Sequence, residues 1–200
     1  MKNAAENFIK KDTAETILEA AVNRFSVYGY NKTTMAEIAE DAGMSAANIY
    51  RYYKSKEEIA AACTKNCMCE KANVLKDIVR NKKLSATEKL EKYVLATLRM
   101  SQEAALENKK IDEVCAEITK SNPQLIHDKI ASNKALLIEI LSYGNQTGEF
   151  KVDDIMDTAV AINAMIVVFD VPMFMSLYSP EEFEDKAKSV IRFLLSGLKN

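Results

Sequence analysis

Between Tyr50 and Lys56 the chain reads Tyr-Arg-Tyr-Tyr-Lys-Ser-Lys, which crowds phenols, a guanidinium and ammonium groups into one short stretch. Those groups suit a polyanion: cations neutralise phosphates, and flat rings with hydroxyl tips pack on sugars and bond phosphate oxygens. Catalysis has poorer materials. His127 is the only histidine and has Asp128 beside it, as a surface residue would. No nucleophile comes with a base, and neither a glycine-rich phosphate loop nor a paired metal motif occurs. The sequence therefore predicts no enzyme, no cofactor and no metal centre. Cys63, Cys67, Cys69 and Cys115 lack the paired spacing of a zinc ribbon. Cys63 and Cys67 share a helix face and would bind a soft metal or sense oxidants if a third ligand came near; the alternative is that they are small hydrophobes.

Positioning such a stretch needs a scaffold, and composition says which kind. The 200 residues are 48% hydrophobic, enough for a real core, while five glycines and three prolines leave little turn chemistry for a sandwich or barrel. The class is all-α. The opening MKNAAENFIKK has no continuous apolar run or small-residue cleavage site, so the chain is expected in the cytoplasm. The most apolar run, residues 159–178, is interrupted by Asn163, Asp170 and Pro172 and reads as a buried helix, not a membrane span.

Cap signals divide the chain. Asp12 with Glu15, Thr34 with Glu37, Ser55 with Glu58, Ser85 with Glu88 and Ser179 with Glu182 fit a reciprocal cap at a helix start. Asn122 and Ser179 each precede a proline suited to the first helical position. About nine helices follow, over 13–28, 35–42, 46–53, 56–80, 86–107, 111–120, 123–144, 153–176 and 180–198. The long fourth helix joins a small N-terminal head, residues 10–70, to a C-terminal body, residues 71–200.

In the head, Ile17, Leu18, Ala21, Val22 and Phe25 form one stripe, which Ile38, Ala39 and Ala42 can meet. Gly43 is placed to end the second helix with a positive φ, and Ser45 to cap the third. Two short helices about a tight turn make a helix-turn-helix, whose second helix can enter the DNA major groove. On it Ile49 and Tyr53 point inward, and Ala46, Ala47, Asn48 and Arg51 outward. Asn48 could pair with adenine and the alanine methyls touch thymine methyls. Lys56 beside the free amides of the fourth helix would make a phosphate site, and Thr33 and Thr34 offer hydroxyls for a second backbone contact. Thr34 has the alternative role of a cap, Arg51 and Lys54 that of solvated surface residues. Basic and acidic residues nearly balance in the head, so its cations must gather on one face.

Residues 13–62, TAETILEAAVNRFSVYGYNKTTMAEIAEDAGMSAANIYRYYKSKEEIAAA, resemble the DNA-binding head of the TetR/AcrR family of bacterial transcriptional regulators. The resemblance is carried by Ile17, Ala20, Ala21, Phe25 and Gly29; by Thr33, Thr34, Ile38, Ala39, Ala42 and Gly43; and by Ser45, Ile49, Tyr50, Tyr53, Lys56 and Ile59. It implies that Tyr50 and Lys56 contact DNA and that Ala46, Ala47 and Asn48 read bases. It also sets Tyr52 near phosphate.

The resemblance further implies a homodimer on a palindromic double-stranded DNA site, most simply a repressor, released when a small-molecule effector enters the body. Pocket candidates are Met100, Cys115, His127, Met165, Phe169 and Met173, and the scarcity of convergent charge favours an apolar effector. The stripe Phe183, Ala187, Val190, Ile191, Leu194, Leu195 and Leu198, with Val160 and Ile166 on the apolar eighth helix, suggests a four-helix dimer interface. The alternative is that both stripes are internal core. A cysteine-based metal or redox sensor is the competing form of regulator.

Overall fold

The computed structural model describes residues 2–199, with side chains from Thr13 to Lys199. Its helices are α1 (Lys2–Tyr28), α2 (Met35–Asp41), α3 (Ala46–Ile49), α4 (Lys56–Arg80), α5 (Ala86–Glu107), α6 (Ile111–Ser121), α7 (Pro123–Thr147), α8 (Ile155–Asp170) and α9 (Pro180–Leu198), with a 3-10 turn at Pro172–Ser176. Every described element is helical, as the composition required.

Three boundaries depart from expectation. α1 runs through Asp12 instead of starting there; the side chain of Asp12, like those of Lys10 and Lys11, lies outside the described residues. α3 keeps α-helical form only to Ile49. Beyond it the amides of Arg51 and Tyr52 bond the carbonyls three residues back, at 3.1 and 3.0 Å, which tightens the chain into a 3-10 turn. α8 stops at Asp170 because Pro172 forces Val171 into extended backbone (φ −112°, ψ 110°). Met173 therefore sits on the 3-10 turn and not on α8.

The chain folds into two compact units. One holds residues 1–67 and 107–125, the other 68–106 and 126–200. The sequence placed α6 with the body, but it packs on α1 and belongs to the first unit. In that unit Ile17, Ala21, Phe25, Ile38, Ile49 and Ile59 are buried around one small core. Burial of each larger side chain contributes on the order of 1.5–3 kcal/mol. Gly43 takes φ 69° at the end of α2, and Thr34 and Glu37 complete a reciprocal cap at its start. Arg24 of α1 grips Asp41 with two hydrogen bonds, at 2.6 and 2.9 Å, and Glu37 at 3.2 Å. These ion pairs clamp α2 on α1.

In the second unit α5, α7, α8 and α9 close over Leu90, Val94, Leu137, Ile140, Ile166 and Phe183. Leu75 and Val79 from the C-terminal part of α4 join them. Glu149 reaches the start of α5 and accepts the Ala86 and Thr87 amides at 2.8 and 3.1 Å, satisfying donors that a helix start leaves open.

Candidate nucleic-acid interface and effector site

Ser45 caps α3, its hydroxyl accepting the Asn48 amide at 3.3 Å, and this fixes the direction in which α3 leaves the turn. Ile49 is buried beneath, so the helix is anchored by one side chain and presents the rest. Ala46, Ala47, Tyr50 and Arg51 are exposed, and Asn48 and Tyr52 half-buried at the edge. The small start of α3 leaves its backbone open to close approach. Tyr50 and Arg51 follow as large groups that reach farther.

The neighbouring candidates have other work. Lys56 donates to the Tyr30 carbonyl at 2.7 Å and the Thr33 carbonyl at 2.9 Å, with its ammonium 4.2 Å from the centre of the Tyr30 ring. Thr33 is buried, its hydroxyl donating to the Gly29 carbonyl at 2.8 Å. The Thr34 hydroxyl accepts the Glu37 amide and donates to the Glu37 carboxylate. The start of α4 is likewise occupied by the chain's own acids. The Ser55 hydroxyl accepts the Glu58 amide, and Glu58 in turn accepts the Lys54 amide at 2.7 Å. Carboxylates of its own first turn thus already complement that helix end.

α6 holds the same loop from the opposite direction. Glu113 accepts the Asn31 amide at 2.9 Å and pairs with Lys110 at 3.4 Å. The Asn31 bond, more than the lysine, holds the Glu113 carboxyl below the usual carboxylate range. Gly29 makes this possible: at φ 88° it turns the chain, and a Cβ there would collide with the Glu113 carboxylate. Loop 29–33 is thus fixed between Lys56 and Glu113.

The second unit has two unusual features. Lys89, Tyr93, Thr97 and Ser101 recur every fourth residue along α5, and all four are buried. The Thr97 hydroxyl donates to the Tyr93 carbonyl, but the hydroxyls of Tyr93 and Ser101 have no hydrogen-bond partner. Leaving a buried polar group unpaired costs about 1–3 kcal/mol, so two on one face is unexpected for a plain core. Near Tyr93, Asp170 pairs with Lys129 and accepts from Asn133, each at 2.8 Å. Burial, and secondarily Asp170, keeps the Tyr93 phenol protonated far above neutral pH.

The other feature is an exposed apolar face. Met156, Val160 and Val167 lie along one side of α8, and Phe193 on α9 is 67% exposed. Farther round α8 from those three, a groove of about 400 Å³ opens against α9, with Ala161, Met165 and Phe193 among its walls.

Comparison with known proteins gives these parts a frame. Residues 17–63 match the family described as bacterial regulatory proteins, tetR family, and residues 86–191 match the tetracyclin repressor-like C-terminal domain. The chain belongs to the tetR family. It is 26% identical to the fatty acid metabolism regulator protein of Bacillus subtilis over 92% of this chain and 94% of that one. A transcriptional regulator from Cytophaga hutchinsonii superposes with a TM-score of 0.73 at 25% identity, covering 93% of this chain and 98% of the other. The Bacillus subtilis regulator FadR, solved in complex with stearoyl-CoA, gives 0.68 at 25% identity, with 92% and 98% covered.

This tetR-family chain is therefore a helix-turn-helix transcription regulator of the ligand-responsive, DNA-binding class, and not an enzyme. No helix among the described residues is long and apolar enough to cross a membrane.

The effector candidates do not converge. Phe169 is buried in the core and Met100 packs against it, while His127, Met165 and Met173 are exposed and Cys115 lies on α6 in the other unit. Most of the proposed interface stripe is interior. Ile166, Phe183, Ile191, Leu194 and Leu198 are buried within the unit, Val190 is half-buried, and Val160 alone of that set is exposed. The stripe was the core face of α9, as any amphipathic helix shows, and the open apolar residues flank it.

Sequence reading missed Phe193, Glu113 and the polar stripe of α5. The stripe had a signal: a tyrosine, a threonine and a serine at four-residue spacing in line with Leu90, Val94 and Leu98. Cys63 donates to the Leu18 carbonyl, and burial pushes its thiol up to about 12, the reverse of a reactive thiolate. Among the described residues no group of three or more His, Cys, Asp or Glu side chains could hold a metal ion.

Proposed function

We propose that the protein is a homodimeric repressor acting in the cytoplasm, which grips a palindromic operator through α3 and is released by a long-chain acyl effector bound in its C-terminal unit. The observation that carries the DNA reading is the face of α3. Small, exposed Ala46 and Ala47 with Asn48 leave room for base edges to approach, and Tyr50, Arg51 and Tyr52 beside them offer groups suited to the sugar-phosphate backbone. Thr33, Thr34 and Lys56 serve this face indirectly, by fixing the loop and α2.

Pairing follows from the exposed apolar face. Met156, Val160, Val167 and Phe193 resemble the centre of an interface more than a wetted surface. A twofold axis there presents two copies of α3, and half-sites about one DNA turn apart, ~34–36 Å, are the geometry of such readers. The acyl effector is favoured by the largely aliphatic interior of the second unit, and by its relatives: a fatty acid metabolism regulator and FadR with stearoyl-CoA.

Selection of the purified protein against a random DNA pool at near-physiological salt tests the reading. Enrichment of a palindrome, followed by loss of binding on adding stearoyl-CoA, supports it. Enrichment of an unpaired half-site sinks the dimer, and DNA binding indifferent to acyl thioesters sinks the effector.

A further inference from the structure

The unpaired hydroxyls of α5 deepen that reading. Lys89, Tyr93, Thr97 and Ser101 follow one another a helical turn apart, so the stripe extends ~18 Å along the interior face of α5. A core gains nothing from such a stripe unless something bonds it. Thr97 is satisfied by its own helix and the Lys89 ammonium lies over the Tyr143 ring at 3.7 Å, whereas Tyr93 and Ser101 each hold a proton with no acceptor.

We infer that this stripe is the seat of an elongated apolar ligand bearing uncharged oxygen acceptors, a thioester carbonyl bonded by Tyr93 and an amide or ester oxygen bonded by Ser101. The inference rests on an acyl effector entering the second unit.

Three features fix the chemistry. The donors are phenol and alcohol, so the ligand supplies acceptors. Asp170, close to Tyr93, is already matched by Lys129 at 2.8 Å and by Asn133, so that ion pair offers no free cation to hold a ligand carboxylate there, which favours a neutral carbonyl. Leu90, Val94 and Leu98 line the same helix, and Met100 and Met175, unbranched and able to shift, pack against that core, which suits an alkyl chain.

The test uses the full chain with palmitoyl-CoA, its thioether analogue S-hexadecyl-CoA, and palmitate, by calorimetry. The wild type should bind palmitoyl-CoA best. Tyr93→Phe should weaken palmitoyl-CoA about tenfold, leave S-hexadecyl-CoA unchanged, and melt no lower than the wild type without ligand, since it removes an unpaired buried hydroxyl. Ser101→Ala, which empties little volume, should weaken both thioester and thioether, and it guards against a Tyr93→Phe protein that fails to fold. Undiminished palmitoyl-CoA binding in both variants would overturn the α5 seat while leaving an acyl effector in place. Palmitate bound as tightly as palmitoyl-CoA would overturn the uncharged acceptor. Failure of the wild type to bind either CoA probe would overturn seat and effector together.

Discussion

At the scale of single residues, a side chain's type indicated what it could do and its neighbours decided what it does. Lys56 is the clearest case: a lysine at the start of a helix beside tyrosines suggests a phosphate ligand, yet two of its donors are spent on the Tyr30 and Thr33 carbonyls. Those carbonyls are 26 and 23 residues away in sequence, and a contact of that range leaves no local pattern to read. Lys56→Met should accordingly cost ~1–3 kcal/mol of folding stability in urea, as two carbonyls lose their partner. DNA affinity should fall in step with the loop. A variant of full stability with a salt slope reduced by one would show a plain phosphate contact instead. Cys63 makes the same point. Its spacing from Cys67 allows a reactive pair or a small hydrophobe, and burial, which pushes its thiol up to about 12, favours the second, so at pH 8 it is almost wholly protonated. Brief iodoacetamide treatment of the native protein should label exposed Cys67 and Cys69 and spare Cys63, as peptide mass spectrometry would report.

At the scale of elements, local chemistry was legible and long-range docking was not. The start of α2 at Thr34 and of α9 at Ser179 followed from a hydroxyl and a carboxylate three residues on, both of which form reciprocal caps. Helix propensity and capping act within a turn, so the sequence displays them. Thr34→Ala should destabilise the first unit by about 1 kcal/mol, seen as a lower urea midpoint with an unchanged slope.

The placement of α6 was not legible, because it depends on Glu113 meeting Asn31 across 82 residues. That bond depresses the carboxyl's pKa, as Arg24 depresses that of Asp41. A depressed carboxylate stabilises the fold above its unfolded pKa, ~4, and that contribution is lost as pH falls through the lower folded value. Melting temperature should thus be flat above pH 5 and drop below pH 4. Glu113→Ala should already melt lower at neutral pH and show a shallower acid limb; an acid limb as steep as the wild type's would mean that Glu113 does not hold α6.

At the scale of the whole molecule, amphipathic pattern gave the fold class and hid the surface. The broad stripe of helix 9 suits an interface or an internal core, and Phe183, Ile191, Leu194 and Leu198 belong to the core. What remains exposed on these two helices is a smaller set: Met156, Val160, Met165 and Val167 on α8, and Phe193 on α9. Burying a phenylalanine that is 67% exposed removes a large apolar area from water, so Phe193 should anchor the pairing of two chains. Phe193→Glu places a charge at that centre without touching the core, since Ile191 and Leu194 face inward on either side. Sedimentation of the variant at micromolar concentration should give the mass of one chain where the wild type gives two, with helical content and the melting transition of the monomer retained. Operator affinity should fall by orders of magnitude, because each head then binds its half-site alone and the gain from tethering the second is lost. If Phe193→Glu instead sediments as the wild type and holds the palindrome as tightly, the exposed face of α8 and α9 is not where the chains meet, and another surface must bring the two copies of α3 together.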